Sequence, residues 1–236
     1  MTAMERDVLG AIIGSERQAI AEDLRHLTDE DWIQESLCAG WSVEDVVAHL
    51  GSAMTIGAAG WIRSIVRAGF RPAVHNRRQL ERFRGSTPQD TLRRFAALGS
   101  AGGEPVRMPT RNPVPWLGEI VVHGEDIRRP LGIEHTYSDV GLTRVAEFFA
   151  GRDYAVNSRS QIKGLRLRAT DAAFAANDDP ALPLVEGPLL GLVMVMAGRG
   201  AYLRGLAGAG VPELARRLGG DRARPQREGR GPGSAA

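Results

Sequence analysis

Apolar residues return at helical intervals through most of the first 150 positions, and the segments they mark out predict a bundle. From residue 4 to about 28, Val8, Ile12, Ile13, Ile20 and Leu24 form the apolar side of a first long helix. Thr28 followed by Asp29, Glu30 and Asp31 is a capping signal for a short helix. In LCAGWSVEDVVAHL (37–50) the chain turns at Gly40 and begins a second long helix. Ser42 and Asp45 have capping-box spacing there, which puts Val43 at the first helical position. Val43, Val46, Val47, Leu50 and Met54 follow at helical steps, and the pattern runs to about Val66. A basic connection leads to STPQDTLRRFAAL (86–98), a third helix started by Ser86 or Thr87 with Pro88 in its first turn. The Gly/Pro-rich stretch 99–115 is loop. A fourth helix begins at Trp116 and stops near Arg129, ahead of Pro130 and Gly132, and DVGLTRVAEFFAG (139–151) is a further one.

From about residue 164 the texture changes. LRLRATD (165–171) alternates apolar and polar positions, the period of a strand, and ALPLVEG (181–187) reads as a second. An apolar helix over 188–199 and a short helix over 210–218 complete a small α+β unit. The fold class is therefore mainly α with an α+β part. A four-helix bundle occupies 1–150, a small α+β domain 151–218, and a disordered tail 219–236. There is no internal repeat.

Composition narrows the function classes. A net charge of +2 is too small to imply a nucleic-acid partner, despite a pI near 9.1. The basic HNRRQLERFRG (75–85), with Phe83 its one Phe, Tyr or Trp residue, reads as a solvated helix face. One cysteine, Cys38, excludes an internal disulfide and a multi-cysteine zinc site, and reads as a small buried residue. The N-terminal MTAMERDVLG is too charged for a signal peptide, and the longest apolar run, GPLLGLVMVMAG, is about half the ~20 residues of a membrane span. A cytoplasmic setting is expected, with no membrane partner.

The candidate chemistry sits in WLGEIVVHGEDIRRPLG (116–132). On a helix Trp116, Ile120, His123 and Ile127 make one stripe, and Glu119 lies beside it, four residues before His123. A carboxylate on an apolar face needs a partner: an arginine, a shared proton or a metal ion. His49 lies on or beside the core-facing side of the second long helix. Each has a plain alternative, a satisfied core histidine for His49 and a surface i,i+4 pair for Glu119 and His123. Together they supply two nitrogens and one oxygen from facing helices. Three protein ligands with an open fourth position is the arrangement of a catalytic divalent site. Zinc is the default for this donor set, which also accepts nickel, cobalt or iron.

The segment LTDEDWIQESLCAGWSVEDVVAHL (27–50) resembles the N-terminal signature of the mycothiol-dependent maleylpyruvate isomerase family, and GEIVVHGEDIRRPLG (118–132) resembles its second signature. The resemblance implies a DinB-like bundle in which His49, Glu119 and His123 are the metal ligands. VEGPLLGLVMVMAGR (185–199) is similar to the family's smaller, sterol-carrier-like C-terminal domain. There Arg199 matches a Gly-Arg position whose arginine faces the cleft, which makes it the candidate catalytic and cofactor-binding residue. The plain alternative is an exposed helix-end arginine. Trp41 belongs to the signature as a cofactor-binding candidate or a bundle-packing residue, and Asp126 and Arg128 match as second-layer or structural groups. Region 68–115 carries no matching motif.

What the resemblance implies is a divalent-metal enzyme whose open position takes mycothiol as thiolate. The thiolate adds reversibly to a cis double bond, the bond rotates, and elimination gives the trans product. Left unreversed, the same addition is thiol transfer. Arg199 would hold a substrate carboxylate. The 30 basic residues include a single lysine, Lys163, and this arginine bias agrees with an actinobacterial source, where mycothiol is the expected thiol. Two alternatives stay open: a metal-dependent, hydrolase-like enzyme that activates water without a thiol, and a non-catalytic binding protein for a small apolar ligand.

Overall fold

The computed structural model describes residues 1–100, 103, 106, 107, 110 and 112–222, which divide into two units between Phe148 and Phe149. Helix α1 (Ala3–Asp23) opens on a capping box in which Thr2 Oγ1 accepts from the Glu5 N–H and the Glu5 carboxylate accepts from the Thr2 N–H. It buries Leu9, Ile13, Ile20 and Ala21, while Val8 is exposed. Of the expected apolar side, Ile13, Ile20 and Leu24 are buried, and Leu9 takes the place of Val8. On the same side Arg17 is buried and donates to the Phe95 and Ala96 carbonyls at 3.0 and 2.9 Å. Helix α2 (Asp29–Ile33) is capped by Thr28 and Asp31, as its sequence signals.

Helix α3 (Val43–Thr55) starts on the Ser42–Asp45 capping box. The expected continuation to Val66 is interrupted at Gly57, whose φ of +60° breaks the helix, and α4 (Gly57–Arg67) starts afresh. The connection expected before the third bundle helix is itself helical, α5 (Pro72–Phe83), with Leu80 and Phe83 buried. Helix α6 (Pro88–Ala97) is capped by Thr87, and α7 (Val114–Leu131) ends at Gly132 with a left-handed φ of +68°. Helix α1 packs on α6 and α7, and α3 packs on the same two, which closes a ring of four. Helix α5 lies against α3 and α4. Because α7 is buried almost all round, the polar groups it carries must be satisfied by neighbouring elements.

The α3–α5 contact has no spare room. A Cβ built on Gly51 would come within 2.1 Å of the Phe83 ring. Gly51→Ala is therefore expected to destabilise the protein by about 1–3 kcal/mol through overpacking, read as a lower midpoint in urea with an unchanged slope.

Helix α8 (Asp139–Gly151) carries the boundary between the units in its last turns. In the second unit, α9 (Ser158–Gln161) precedes a three-stranded sheet in the order β2-β1-β3. The expected strands are β1 (Arg166–Ala169) and β3 (Leu184–Gly187), paired in parallel with Leu167 opposite Val185. The short β2 (Ala175–Ala176), which has too few residues to show a period, runs antiparallel to β1. Helix α10 (Leu189–Met196) packs on β1 and β3, and a 3₁₀ turn (Gly200–Gly205) follows it. Helix α11 (Val211–Arg222) runs past the expected end at 218, so the first residues of the expected tail are helical. The rest of that tail lies outside the described residues.

Candidate metal centre

His49 is two turns into α3, and the Ser42 cap fixes where that helix begins and so which way His49 points. Glu119 and His123 project from successive turns of α7, which packs against α3. The helices bring the three together. Glu119 Oε2 lies 3.3 Å from His123 Nε2 and 3.7 Å from His49 Nε2, and one donor atom from each residue falls within 4.8 Å of the others. The imidazole rings are 5.0 Å apart, nearly perpendicular. The histidine side chains are 11% and 12% exposed, but Glu119 keeps 27%, so the cluster opens on its carboxylate side.

Behind His123 stands a second layer. Its Nδ1 is 2.9 Å from Oδ2 of Asp126, a fully buried residue, and the Cys38 thiol donates to the same oxygen at 3.1 Å. Cys38 Sγ is 3.6 Å from His123 Nδ1. The turn carrying Cys38 is tied to α7, since the Leu37 N–H donates to the Asp126 carbonyl at 3.0 Å and Gln34 Nε2 donates to the Pro130 carbonyl at 2.9 Å. A carboxylate on Nδ1 keeps a proton there and leaves Nε2 to face Glu119. Cys38, expected only to fill space, belongs to this layer. Nothing in its local sequence reveals that, because its partners lie about 85 residues further along.

Burial pushes the Glu119 carboxyl up, but hydrogen bonds from His123 and His49 outweigh it and hold the group well below the ordinary carboxylate range. Burial pulls His123 down, and hydrogen bonds to Asp126, Cys38 and Glu119 more than reverse this. His49 is held below its ordinary value by burial, against the pull of Glu119.

The residues fit a divalent ion. Tetrahedral ligands at about 2.0–2.1 Å from zinc are roughly 3.3–3.4 Å apart, and both donor separations at Glu119 lie near that value. His123 is oriented by Asp126 as metal-binding histidines commonly are. His49 differs: its Nδ1 is buried with no partner among the described residues, and its ring is steadied instead by the edge of Trp41, 4.9 Å away.

The other candidates are placed as follows. Arg128 is buried, donating to Asp23 Oδ2 at 2.8 Å and to the Tyr137 hydroxyl at 2.9 Å, so its role is structural. Arg199 precedes the 3₁₀ turn in the second unit, half-buried, with Nη1 donating to the Ala197 carbonyl at 2.6 Å. His26 is exposed, His75 pairs with Ser64 and His135 with Glu16.

Residues 13–128 match the family described as the mycothiol maleylpyruvate isomerase N-terminal domain. The matched residues lie wholly within the helical unit. A crystal structure of a mutant of the mycothiol-dependent maleylpyruvate isomerase is similar over 89% of this chain and 93% of its own, with a TM-score of 0.58 and 18% identity. A second crystal structure of that isomerase covers the same shares at a TM-score of 0.50 and 18% identity. At this identity the likeness establishes the maleylpyruvate isomerase fold. A search of curated proteins finds no match.

Proposed function

We propose that this protein is a divalent-metal-dependent enzyme that uses mycothiol to act on a small electrophilic substrate, as an isomerase or a thiol transferase. The observation that carries the reading is the meeting of His49, Glu119 and His123 at one point, with His123 oriented from behind by Asp126. In this reading those three residues hold the ion, zinc by default, with nickel, cobalt or iron as alternatives. Bound there, a divalent ion supplies the charge that keeps a thiol ionised near neutral pH.

The chain's own residues do the positioning. Asp126 keeps the proton on Nδ1 of His123. Trp41 limits rotation of the His49 ring. The partial exposure of Glu119 leaves a side from which thiol and substrate can enter. Arg199 is assigned the substrate carboxylate, which its guanidinium would grip through two parallel hydrogen bonds. A small-molecule substrate, a low-molecular-weight thiol and a cytoplasmic setting go together in this reading. Among the described residues no helix is long and apolar enough to cross a membrane.

Calorimetry tests the thiol. Mycothiol is expected to bind the metal-loaded protein one to one, to lose its heat on chelation and to regain it when the metal is restored. Turnover that needs the metal but proceeds without any thiol would select the water-activating alternative instead. The layer behind the ligands makes a separate prediction. Asp126→Asn is expected to weaken metal binding by about 10–100-fold, measured by competition with a chromogenic chelator, because the amide no longer fixes the His123 proton.

A further inference from the structure

Between α4 and α5 lies a pocket of about 260 Å³ that shares no residue with the His49, Glu119 and His123 cluster. Its walls are Arg63, Ser64 and Arg67 of α4 and Arg78, Gln79 and Arg82 of α5. Ile56 and Gly60 complete the lining. On each helix the two arginines are four residues apart, a spacing at which like charges destabilise a helix. Neighbouring Arg77 and Arg84 pair with Asp45 and Glu44, whereas none of the four pocket arginines is in salt-bridge contact with a carboxylate of the described residues. Favourable placement near a helix C-terminus accounts for Arg67 and Arg82, but not for Arg63 and Arg78, which lie mid-helix. Arg78 reaches across to donate to the Arg67 carbonyl at 3.0 Å, which fixes one guanidinium at the pocket wall.

We propose that this pocket binds a compact organic anion carrying two or more phosphate or carboxylate groups. Guanidinium forks match both oxyanions, and four of them around one space favour a multiply charged ligand over a single carboxylate. The volume falls just below the range of drug-sized sites, which limits the occupant to a small molecule. The apolar surface of Ile56 in the lining suits a short carbon skeleton. This inference does not rest on the metal-dependent reading.

The test uses the full chain at constant ionic strength, titrated calorimetrically with pyrophosphate and, separately, with citrate. One-to-one binding of at least one anion is expected, and the tighter of the two identifies phosphate or carboxylate as the preferred group. Arg63→Gln combined with Arg78→Gln is expected to weaken binding by about tenfold or more. Arg6→Gln combined with Arg25→Gln removes the same charge outside the pocket and is expected to leave binding unchanged. Should the double pocket variant melt early, the exposed Arg63→Gln alone carries the comparison. No saturable heat with either anion, or equal weakening in the pocket and control variants, overturns the proposal. Binding of a nucleic-acid duplex that neither anion displaces overturns it as well.

Discussion

A His123→Ala variant is expected to lose its divalent ion and its turnover together. The substitution removes one of three donors and strands the Asp126 carboxylate that orients it, 2.9 Å behind. Disturbing only the second layer of a metal site costs about 10–100-fold in affinity, so loss of a ligand is expected to exceed about 100-fold. Metal per chain after gel filtration and kcat/KM on the same sample are the two readings, and they should fall in step. The fold should survive, because the Cys38 thiol still donates to the Asp126 carboxylate that the ring leaves behind. A thermal melt near that of the wild type separates loss of the site from loss of the protein. An active, metal-retaining variant would remove His123 from the chemistry.

The largest stability effect is expected at Arg128. Its guanidinium is buried and bridges Asp23 to Tyr137, while the Tyr137 hydroxyl donates to Glu125 Oε1 at 2.8 Å. Burial, reinforced by the neighbouring Glu125 carboxylate, pushes the Tyr137 hydroxyl far above its ordinary range, so it stays protonated and serves as a donor. Arg128→Ala removes the guanidinium that pairs with Asp23 and donates to Tyr137, and leaves a cavity. Breaking a buried charge pair from one side costs about 3–5 kcal/mol, and the lower end applies because Asp23 remains 24% exposed. A loss of about 3 kcal/mol lowers the melting temperature by roughly 6–12 °C in a protein of this size. Arg128→Met, which refills much of the volume but not the charge, should recover only part of the loss. Full recovery would mean that packing, not the charge network, is what Arg128 contributes.

The elements with strong local signals were readable from sequence. Thr28, Ser42 and Thr87 cap the helices their spacing announces, and Gly132 ends α7 in the left-handed conformation that favours glycine. The three residues of the cluster were legible because a glutamate and two histidines at core-facing helical positions demand partners. Residues 75–85 read as a helix face, but the bounds of helix α5 and its packing were hidden, since a segment dense in arginine shows no apolar period and only His75, Leu80 and Phe83 of it are buried. The break at Gly57 was hidden for the opposite reason, because apolar residues continue on both sides of it. Asp126 was marked through the resemblance, but the link between Cys38 and Asp126 could not be read from neighbours in sequence. Their contact exists only once the turn after α2 has docked on α7, and long-range docking leaves no local pattern.

The account turns on whether two imidazoles and a carboxylate from separate helices share one cation. Elemental analysis of the protein purified without chelators, beside His49→Ala and Glu119→Gln, addresses this directly. One divalent ion per chain in the wild type, and none in either variant, is the expected result. Protein that is folded, active and free of stoichiometric metal, or variants that keep a full complement of it, would contradict the account.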